Sequence, residues 1–331
     1  MSRPLLLFTI DVEEDMPGWR IEDSISVQNV AALPRMAELC RELGVRPTYL
    51  CTYPTVTAPS SAAILRGLAA CGDCEIGSHM HPWNTPPFNG VPGRSTDERR
   101  TTYYQFELGP RLFAAKLARI HDAVSEVAMR PPVSYRAGRF GIDSTTLAVL
   151  IGHGYEVDSS ITPLEEHLDD EGPDFRSAPQ FPYRPSLDDV THFGDMSVVE
   201  IPVSVALTRP VPDIVLQAYV YLPKATRMRG LLSRDYLRII DFAWLYPARF
   251  DVDLMIRAAT TLVNAGNPVL NVFLHSSELV AGASGRISTS AQVEEVFART
   301  RGLLCHCLEV FGAAPATMRE AARELRPSLG L

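Results

Sequence analysis

The sequence predicts an α/β fold in which parallel strands and helices alternate around a barrel-like sheet. Short apolar runs alternate with segments of helical periodicity along most of the 331 residues. Parallel strands need helical crossovers, so this alternation is typical of successive βα units. We found no internal repeat and no linker that would split the chain. About seven units therefore fit one domain that spans 1–331.

The first half of the chain shows the alternation most clearly. Apolar runs predict strands, and segments with apolar residues three or four apart predict helices. Gly44 is a helix C-terminal signal, and the pair Pro131-Pro132 stops the helix before it. The predicted strands are 5–10, 47–52, 74–78, 132–136 and 156–159, and the predicted helices are 28–43, 60–71, 105–127 and 144–152.

The second half is less regular. Residues 161–196 are rich in Pro, Asp and Glu and are too long for a plain loop, so we expect long insertions near 161–196 and 205–250. The remaining predicted strands are 198–203, 268–274 and 316–317, and the predicted helices are 230–245, 252–266, 288–311 and 318–325.

Composition excludes several classes of protein. The chain has 31 Lys and Arg against 39 Asp and Glu, a net charge of −8, so nucleic acid is not an expected partner. No apolar run approaches the roughly 18 residues that a membrane span needs. The first strand becomes acidic too soon for an export signal, so we expect a cytoplasmic protein with reduced thiols. The six cysteines do not have the spacing of a zinc ribbon.

Polar side chains follow the predicted strands at the edge where barrel enzymes carry their chemistry. Asp11 and Glu13 end the first strand, and His79 and His81 end the third. The two-residue spacing places each pair on one side of an extended chain. Two histidines and one carboxylate make a three-ligand set with an open position, which is the composition of catalytic zinc sites and also suits non-haem iron. The second carboxylate is then placed to act as a base.

Three further residues end other strands at the same edge. His275 follows the most apolar strand and is a candidate acid, which a buried Asp such as Asp158 would orient. Arg136 is placed to pair with the base carboxylate and keep it ionised. Trp83 and its neighbouring loop are candidate substrate contacts. Each of these residues alone is more often structural, and their occurrence at successive strand ends is what favours a site.

The order of these motifs resembles that of the polysaccharide deacetylases with a NodB-type domain, carbohydrate esterase family 4, and in particular their WalW-like branch. The likeness runs from residue 5 to about residue 325. It is carried by Thr9-Ile10-Asp11-Val12-Glu13, Gly77-Ser78-His79-Met80-His81-Pro82, Tyr135-Arg136-Ala137-Gly138-Arg139, Asp158 and Phe273-Leu274-His275.

The resemblance implies a distorted (β/α)7 barrel and metal-dependent removal of an acetyl group from an N-acetylated sugar. It makes Asp11 the base and Arg136 its tether, and it makes His275 the acid, tuned by Asp158. It also implies that His79 and His81 bind the metal, most simply Zn²⁺. Leu274 would line the pocket for the acetyl methyl, and a backbone N–H near Arg139 would help to hold the oxyanion.

The sequence departs from the family pattern in three places. Val12 stands where the common motif has a metal-binding Asp, so Glu13 is the substitute ligand, with Glu14 as an alternative. The two histidines are closer together than in the common motif, and Ser276 replaces the usual Asp after the final His. We therefore keep two alternatives to a sugar deacetylase: an amidohydrolase that acts on a small non-sugar amide, and a relative that binds metal or glycan without catalysis.

Overall fold

A central sheet of eight strands curls around a polar interior in the computed structural model. The structure describes residues 3–19, 24–88, 103–168, 171–209, 211–212, 214–216, 221–222 and 241–331, and for residue 19 it describes the backbone. The strands are β1 Leu5–Val12, β2 Thr48–Cys51, β3 Glu75–Met80, β4 Ser134–Ala137, β5 Val157–Asp158, β6 Val199–Glu200, β7 Val205–Leu207, β8 Phe242–Trp244, β9 Val269–His275 and β10 Ala314–Pro315.

Helices follow most of these strands and cover the outside of the sheet. In the described part of the chain they are α1 Leu33–Glu42, α2 Tyr53–Thr57, α3 Pro59–Cys71, α4 Gly109–Ala128, α5 Ser144–Gly152, α6 Val252–Asn264, α7 Ser290–Glu309 and α8 Met318–Leu325. Two of the predicted helices, 105–127 and 28–43, begin with a 3-10 turn in the structure. These turns are Gln105–Leu108 before α4 and Gln28–Ala32 before α1. No described helix is long and apolar enough to cross a membrane.

The strands β1 to β6 pair in chain order and in parallel, and β9 pairs with β1 on its other side. The arrangement is the distorted (β/α)7 barrel of the NodB type that the resemblance implies. The opening between β6 and β9 is narrowed by the segment before β7, where the Ser204 N–H donates to the Asn271 carbonyl at 3.3 Å. The short β10 extends the sheet beside the start of β1.

The alternation of side chains separates an outer apolar layer from the interior. In β1, Phe8 and Ile10 pack outward against the helices, whereas Thr9 and Asp11 face inward. A second apolar cluster fills the opposite end of the barrel, where Leu7 meets Met318 of α8. The C-terminal helix therefore closes one end, and the polar groups collect at the other.

Two predicted elements are wrong. The last strand lies at Ala314–Pro315, just before the predicted 316–317. The helix expected over 230–245 ends in a strand, because Phe242–Trp244 forms β8 and pairs antiparallel with β7. Residues 223–240, the rest of that prediction, lie outside the described residues. The segment 161–196 has no α-helix among its described residues and is held by isolated bridges such as Pro185 to Phe193. The assignment of residues 1–331 to a single domain stays a prediction.

Candidate active site

Asp11 and Arg136 form a buried ion pair at the top of the barrel. Asp11 lies near the end of β1 and Arg136 in β4, and Nη1 of Arg136 donates to Oδ1 of Asp11 at 2.7 Å. Burial on its own raises the pKa of Asp11, but the charges of Arg136 and His275, together with the hydrogen bond from Arg136, outweigh it and bring that pKa below its usual value. The predicted tether is present, and it leaves Oδ2 of Asp11 facing Nε2 of His79 at 3.9 Å.

Arg136 is itself fixed in orientation by neighbouring strands. Its Nη2 donates to the hydroxyls of Thr9 and Ser159, both at 2.9 Å, and its Nε donates to the Ser159 carbonyl at 2.8 Å. The side chain is completely buried. Since nearly every donor of a guanidinium fork has a partner here, Arg136 holds Asp11 in one position.

His79 presents Nε2 to the site. Its Nδ1 lies 3.0 Å from the carbonyl oxygen of Arg136, and a carbonyl only accepts, so Nδ1 carries the hydrogen. Burial lowers the pKa of His79 to about 3, against the opposing charge of Asp11, so the ring is neutral. A neutral ring with its lone pair on Nε2 is the form that binds a metal ion.

His81 is held in the same tautomer by Glu14. Oε1 of Glu14 accepts from Nδ1 of His81 at 3.0 Å and from the indole of Trp83 at 2.9 Å, and Oε2 accepts from Asn84 at 2.7 Å. Burial raises the pKa of Glu14, but the positive charge that His81 carries when it is protonated, followed by the hydrogen bonds from His81 and Trp83, brings that pKa to about 2. Glu14 is thus occupied in orienting His81 and does not belong to the ligand set, an arrangement common for metal-binding histidines.

Trp83 and Gly138 fix the ring of His81 from two sides. The indole of Trp83 stacks on His81 with ring centroids 4.2 Å apart. A Cβ at Gly138 would lie 2.2 Å from Cδ2 of His81, so only glycine allows this approach. Trp83 lines the cavity, as predicted for a substrate contact, but it is 4% exposed and one face already covers His81. That it contacts substrate stays a prediction.

Glu13 completes a set of metal-ligand candidates. Its Oε2 lies 3.7 Å from Nε2 of His81 and 3.9 Å from Nε2 of His79, and ligand atoms of the three residues lie within 4.8 Å of one another. Tetrahedral zinc would place such atoms about 3.4 Å apart. The two distances from Glu13 exceed this value by a few tenths of an ångström, so the donor types and the separation of the carboxylate from each ring fit a zinc-sized cation.

The electrostatics of Glu13 fit the same cation. Burial, together with the nearby charges of Glu14 and Asp11, raises the pKa of Glu13 to about 7 even though His275 and His81 act in the opposite direction. A buried carboxylate in this position is stabilised by a positive charge beside it. The backbone N–H of Glu13 donates to Ser276 at 3.1 Å, and Ser277 donates to Oε1 at 3.4 Å. Ser276, which stands where the resemblance expects an Asp, therefore helps to place Glu13.

His275 lies beside Asp11, because the two residues are direct partners in the pairing of β1 with β9. Its Nδ1 lies 2.9 Å from the hydroxyl of Tyr246 and 3.3 Å from Oε2 of Glu278. Burial lowers the pKa of His275, but the carboxylates of Glu13 and Glu278 outweigh it and raise that pKa to about 9. The ring therefore carries a proton at neutral pH, as an acid requires.

The predicted contact between Asp158 and His275 is wrong. Asp158 pairs in register with Glu200 of β6, and its Oδ1 accepts from the Ser160 hydroxyl at 2.7 Å. Burial raises the pKa of Asp158. Burial also raises the pKa of Glu200, and the charge of Asp158 raises it further. The two carboxyls therefore share one proton. The carboxylate that contacts Nδ1 of His275 is Glu278 instead.

The candidate ligands and His275 meet in one cavity of about 110 Å³. Its lining combines these polar groups with apolar side chains, namely Asp11, Glu13, Met16, His79, His81, Trp83, Ala137, Arg139, Phe140 and His275. The prediction that Leu274 lines this space is wrong. It faces the outer apolar cluster, because neighbouring residues of a strand point to opposite faces and His275 faces inward.

Arg139 and Phe140 give the rim of the cavity an unusual backbone. Their φ angles are 53° and 59°, a left-handed region that non-glycine residues seldom adopt. Backbone strain of this kind is concentrated at functional sites. The predicted oxyanion donor near Arg139 therefore lies at the cavity, although its role stays a prediction.

Sequence reasoning missed several supporting residues. Glu278 lies three residues after His275, a short-range signal that could have suggested the contact. Tyr246 comes from the 205–250 insertion, which carries no comparable signal. Met16 and Phe140 contribute apolar surface to the cavity and were not singled out.

Comparison with known proteins supports this fold. No protein-family model and no curated protein matches the sequence. Among solved structures, a Mycobacterium smegmatis protein assigned as a polysaccharide deacetylase aligns over 99% of this chain and 92% of its own, with a TM-score of 0.56 and 19% identity. A Parabacteroides distasonis protein assigned as a glycoside hydrolase/deacetylase aligns over 98% and 72%, with a TM-score of 0.62 and 12% identity.

A third neighbour has a different activity on the same architecture. The allantoinase PuuE aligns over 99% of this chain and 91% of its own, with a TM-score of 0.53 and 12% identity. At these identities the likeness establishes the fold, and function has to come from the site itself.

Proposed function

We propose that this protein is a divalent-metal-dependent hydrolase that removes an acetyl group from the nitrogen of an N-acetylated sugar or glycan precursor. The observation that carries the proposal is the convergence in one cavity of Glu13, His79 and His81 with Asp11 and His275. These are a ligand set, a base and an acid, the groups that amide hydrolysis needs. A place in the WalW-like branch is part of the proposal.

Glu13, His79 and His81 would hold the cation, most simply Zn²⁺, through one carboxylate oxygen and two Nε2 atoms. Such a cation polarises a carbonyl oxygen and makes a water molecule more acidic. Iron is an alternative that the same ligand types accept.

Asp11 and His275 divide the proton transfers between them. Oδ2 of Asp11, left unpaired by Arg136 and 3.9 Å from Nε2 of His79, accepts the proton of the attacking water. His275 donates a proton to the leaving nitrogen as the C–N bond breaks. A backbone N–H at Arg139 or Phe140 stabilises the negative charge that develops on the carbonyl oxygen.

The size and lining of the cavity favour a small acyl group. A volume of about 110 Å³ accommodates an acetamido group, and Met16, Ala137 and Phe140 offer apolar contacts to its methyl. The sugar would then lie outside this space, toward Trp83 and Arg139.

Acetate release from a panel of N-acetylated sugars by zinc-loaded protein tests the proposal. Release that depends on added metal supports it. Hydrolysis of small cyclic or linear amides, with no acetate from the sugars, would favour a second function, that of an amidohydrolase acting on a small non-sugar amide. The structural likeness to an allantoinase is the observation that favours this alternative. Stoichiometric metal without turnover of any substrate would indicate a binding protein.

A further inference from the structure

His275 is enclosed from behind by two buried side chains. Tyr246 follows β8, and Glu278 lies in the 3-10 turn Ser276–Leu279 that follows β9. Their distances to Nδ1 are 2.9 Å for the hydroxyl and 3.3 Å for Oε2. Tyr246 is 4% exposed and Glu278 is fully buried. The contacts come from two separate segments, so they restrict both rotation and translation of the ring.

The distribution of protons among these groups determines the tautomer of His275. The hydroxyl of Tyr246 donates its single proton to Oε1 of Glu278. Oε2 of Glu278 accepts from the backbone N–H of His275 at 3.1 Å. Neither the carboxylate nor the hydroxyl oxygen has a further proton to give, so a hydrogen bond to either requires a hydrogen on Nδ1. Nε2 is then the other ring nitrogen, and His275 lines the cavity.

Arg286 adds a positive charge behind this pair. Its Nε lies 3.6 Å from Oε1 of Glu278, and its guanidinium lies 5.7 Å from the ring centre of Tyr246. When the ring of His275 is protonated, positive and negative charges alternate from the surface toward the cavity. The order in space is Arg286, Glu278 and His275. Alternating charges of this kind favour a single arrangement of the side chains.

We propose that Glu278 and Tyr246 are the positioning residues for His275, in the place that the family resemblance assigned to Asp158; this inference rests on the proposed hydrolysis. As the C–N bond breaks, its electron pair goes to nitrogen, which takes the proton of Nε2. The ring becomes neutral and keeps the Nδ1 hydrogen. The products are a carboxylate and a free amine. Without Glu278 or Tyr246 the ring loses the partner that holds Nε2 toward the leaving nitrogen.

Two substrates with different leaving groups separate this role from a structural one. An N-acetyl amine needs a proton on its nitrogen, whereas an activated aryl acetate releases a phenolate that does not. Glu278→Gln and Tyr246→Phe should lower kcat for the amide by about 10²-fold, at the low end of general acid catalysis, with KM nearly unchanged. Both variants should hydrolyse the aryl acetate within about threefold of the wild-type rate, because base and ligands are intact.

Glu75→Gln is the matched control, since Glu75 is also a fully buried glutamate but begins β3, at the other end of the barrel. It should leave the ratio of the two rates unchanged. Equal losses on both substrates in Glu278→Gln, or no loss on either, would overturn the inference while leaving the hydrolase proposal standing.

An NMR measurement tests the same inference without turnover. The Nδ1–H proton of His275, assigned by its absence in His275→Gln, should appear as a downfield, slowly exchanging signal. Glu278→Gln and Tyr246→Phe should each shift or remove it, and Glu75→Gln should not. An Nδ1–H signal that is unchanged in the first two variants contradicts the positioning role even if the protein hydrolyses no acetylated substrate at all.

Discussion

Oδ1 of Asp11 accepts a hydrogen bond from Nη1 of Arg136 at 2.7 Å, and both side chains are buried. This contact decides which oxygen of Asp11 remains for chemistry, because Oδ2 then faces the candidate metal ligands. The same pair also joins β1 to β4 across the barrel interior. Stability and activity should therefore depend on it together.

Replacing Arg136 with Met should destabilise the protein by about 3–5 kcal/mol, because it leaves the Asp11 carboxylate buried without a partner. Urea denaturation followed by circular dichroism measures the free energy of unfolding. The control is Arg35→Met, which removes an exposed ion pair with Glu294 and should cost less than about 1 kcal/mol. If both variants lost a similar free energy of unfolding, the buried pair would contribute no more to stability than the exposed pair.

Removing a ligand candidate should remove the metal. His79→Ala and His81→Ala should no longer retain one zinc ion per chain after dialysis, because each eliminates an Nε2 ligand. Glu14→Gln should weaken zinc affinity by about 10–100-fold through the loss of orientation of His81. Metal content by elemental analysis and titration calorimetry are the measurements. His192→Ala, at an exposed histidine, is the control, and equal retention by His79→Ala would refute the ligand assignment.

Gly138→Ala should lower zinc affinity although Gly138 is not a ligand. Its new methyl would lie 2.2 Å from the ring of His81, which must move. Gly152→Ala is the matched control, since a Cβ there meets nothing within 4 Å. Calorimetric titration of both variants with zinc should show weaker binding for Gly138→Ala alone. Identical affinities would mean that the position of His81 does not determine binding.

The pair of Asp158 and Glu200 should give stability a distinctive pH dependence. Burial, then the charge of Asp158, raises the pKa of Glu200 well above its usual 4.5, so the folded protein holds a proton that the unfolded chain releases. The contribution to stability is complete below about pH 4.5 and is lost as pH rises toward the folded pKa, at up to about 1.4 kcal/mol per pH unit.

Glu200→Gln removes that proton and keeps a donor for Asp158. Its free energy of unfolding relative to wild type should therefore increase from pH 5 to pH 7. Urea denaturation at pH 5, 6 and 7 measures the difference. A difference that stays constant with pH would show that no proton is shared at this pair.

The strand ends were predictable because a parallel sheet brings the ends of all its strands to one edge. Asp11, His79, Arg136 and His275 each follow or end an apolar run, and all four meet at the site. The partner of Asp158 was not predictable in the same way. It depends on the register of β5 with β6, where Asp158 lies opposite Glu200, and β6 is only two residues long.

The roles of Leu274 and Tyr246 show two other limits. Leu274 was placed in the pocket through the family resemblance, although strand alternation beside an inward His275 already directs it to the opposite face. Tyr246 reaches His275 from a segment that no periodicity links to β9. Local pattern thus predicts which residues reach the edge, whereas contacts between distant segments require the three-dimensional structure.

The most direct test of the central claim is acetate release by zinc-loaded Asp11→Asn, measured beside wild type and Asp143→Asn on N-acetylated sugars. Asp143 is the N-cap of α5, a position that asparagine fills equally well. We predict that wild type and Asp143→Asn release acetate, and that Asp11→Asn binds zinc but loses at least about 10²-fold in rate, since it lacks the base. Undiminished release by Asp11→Asn would contradict the account.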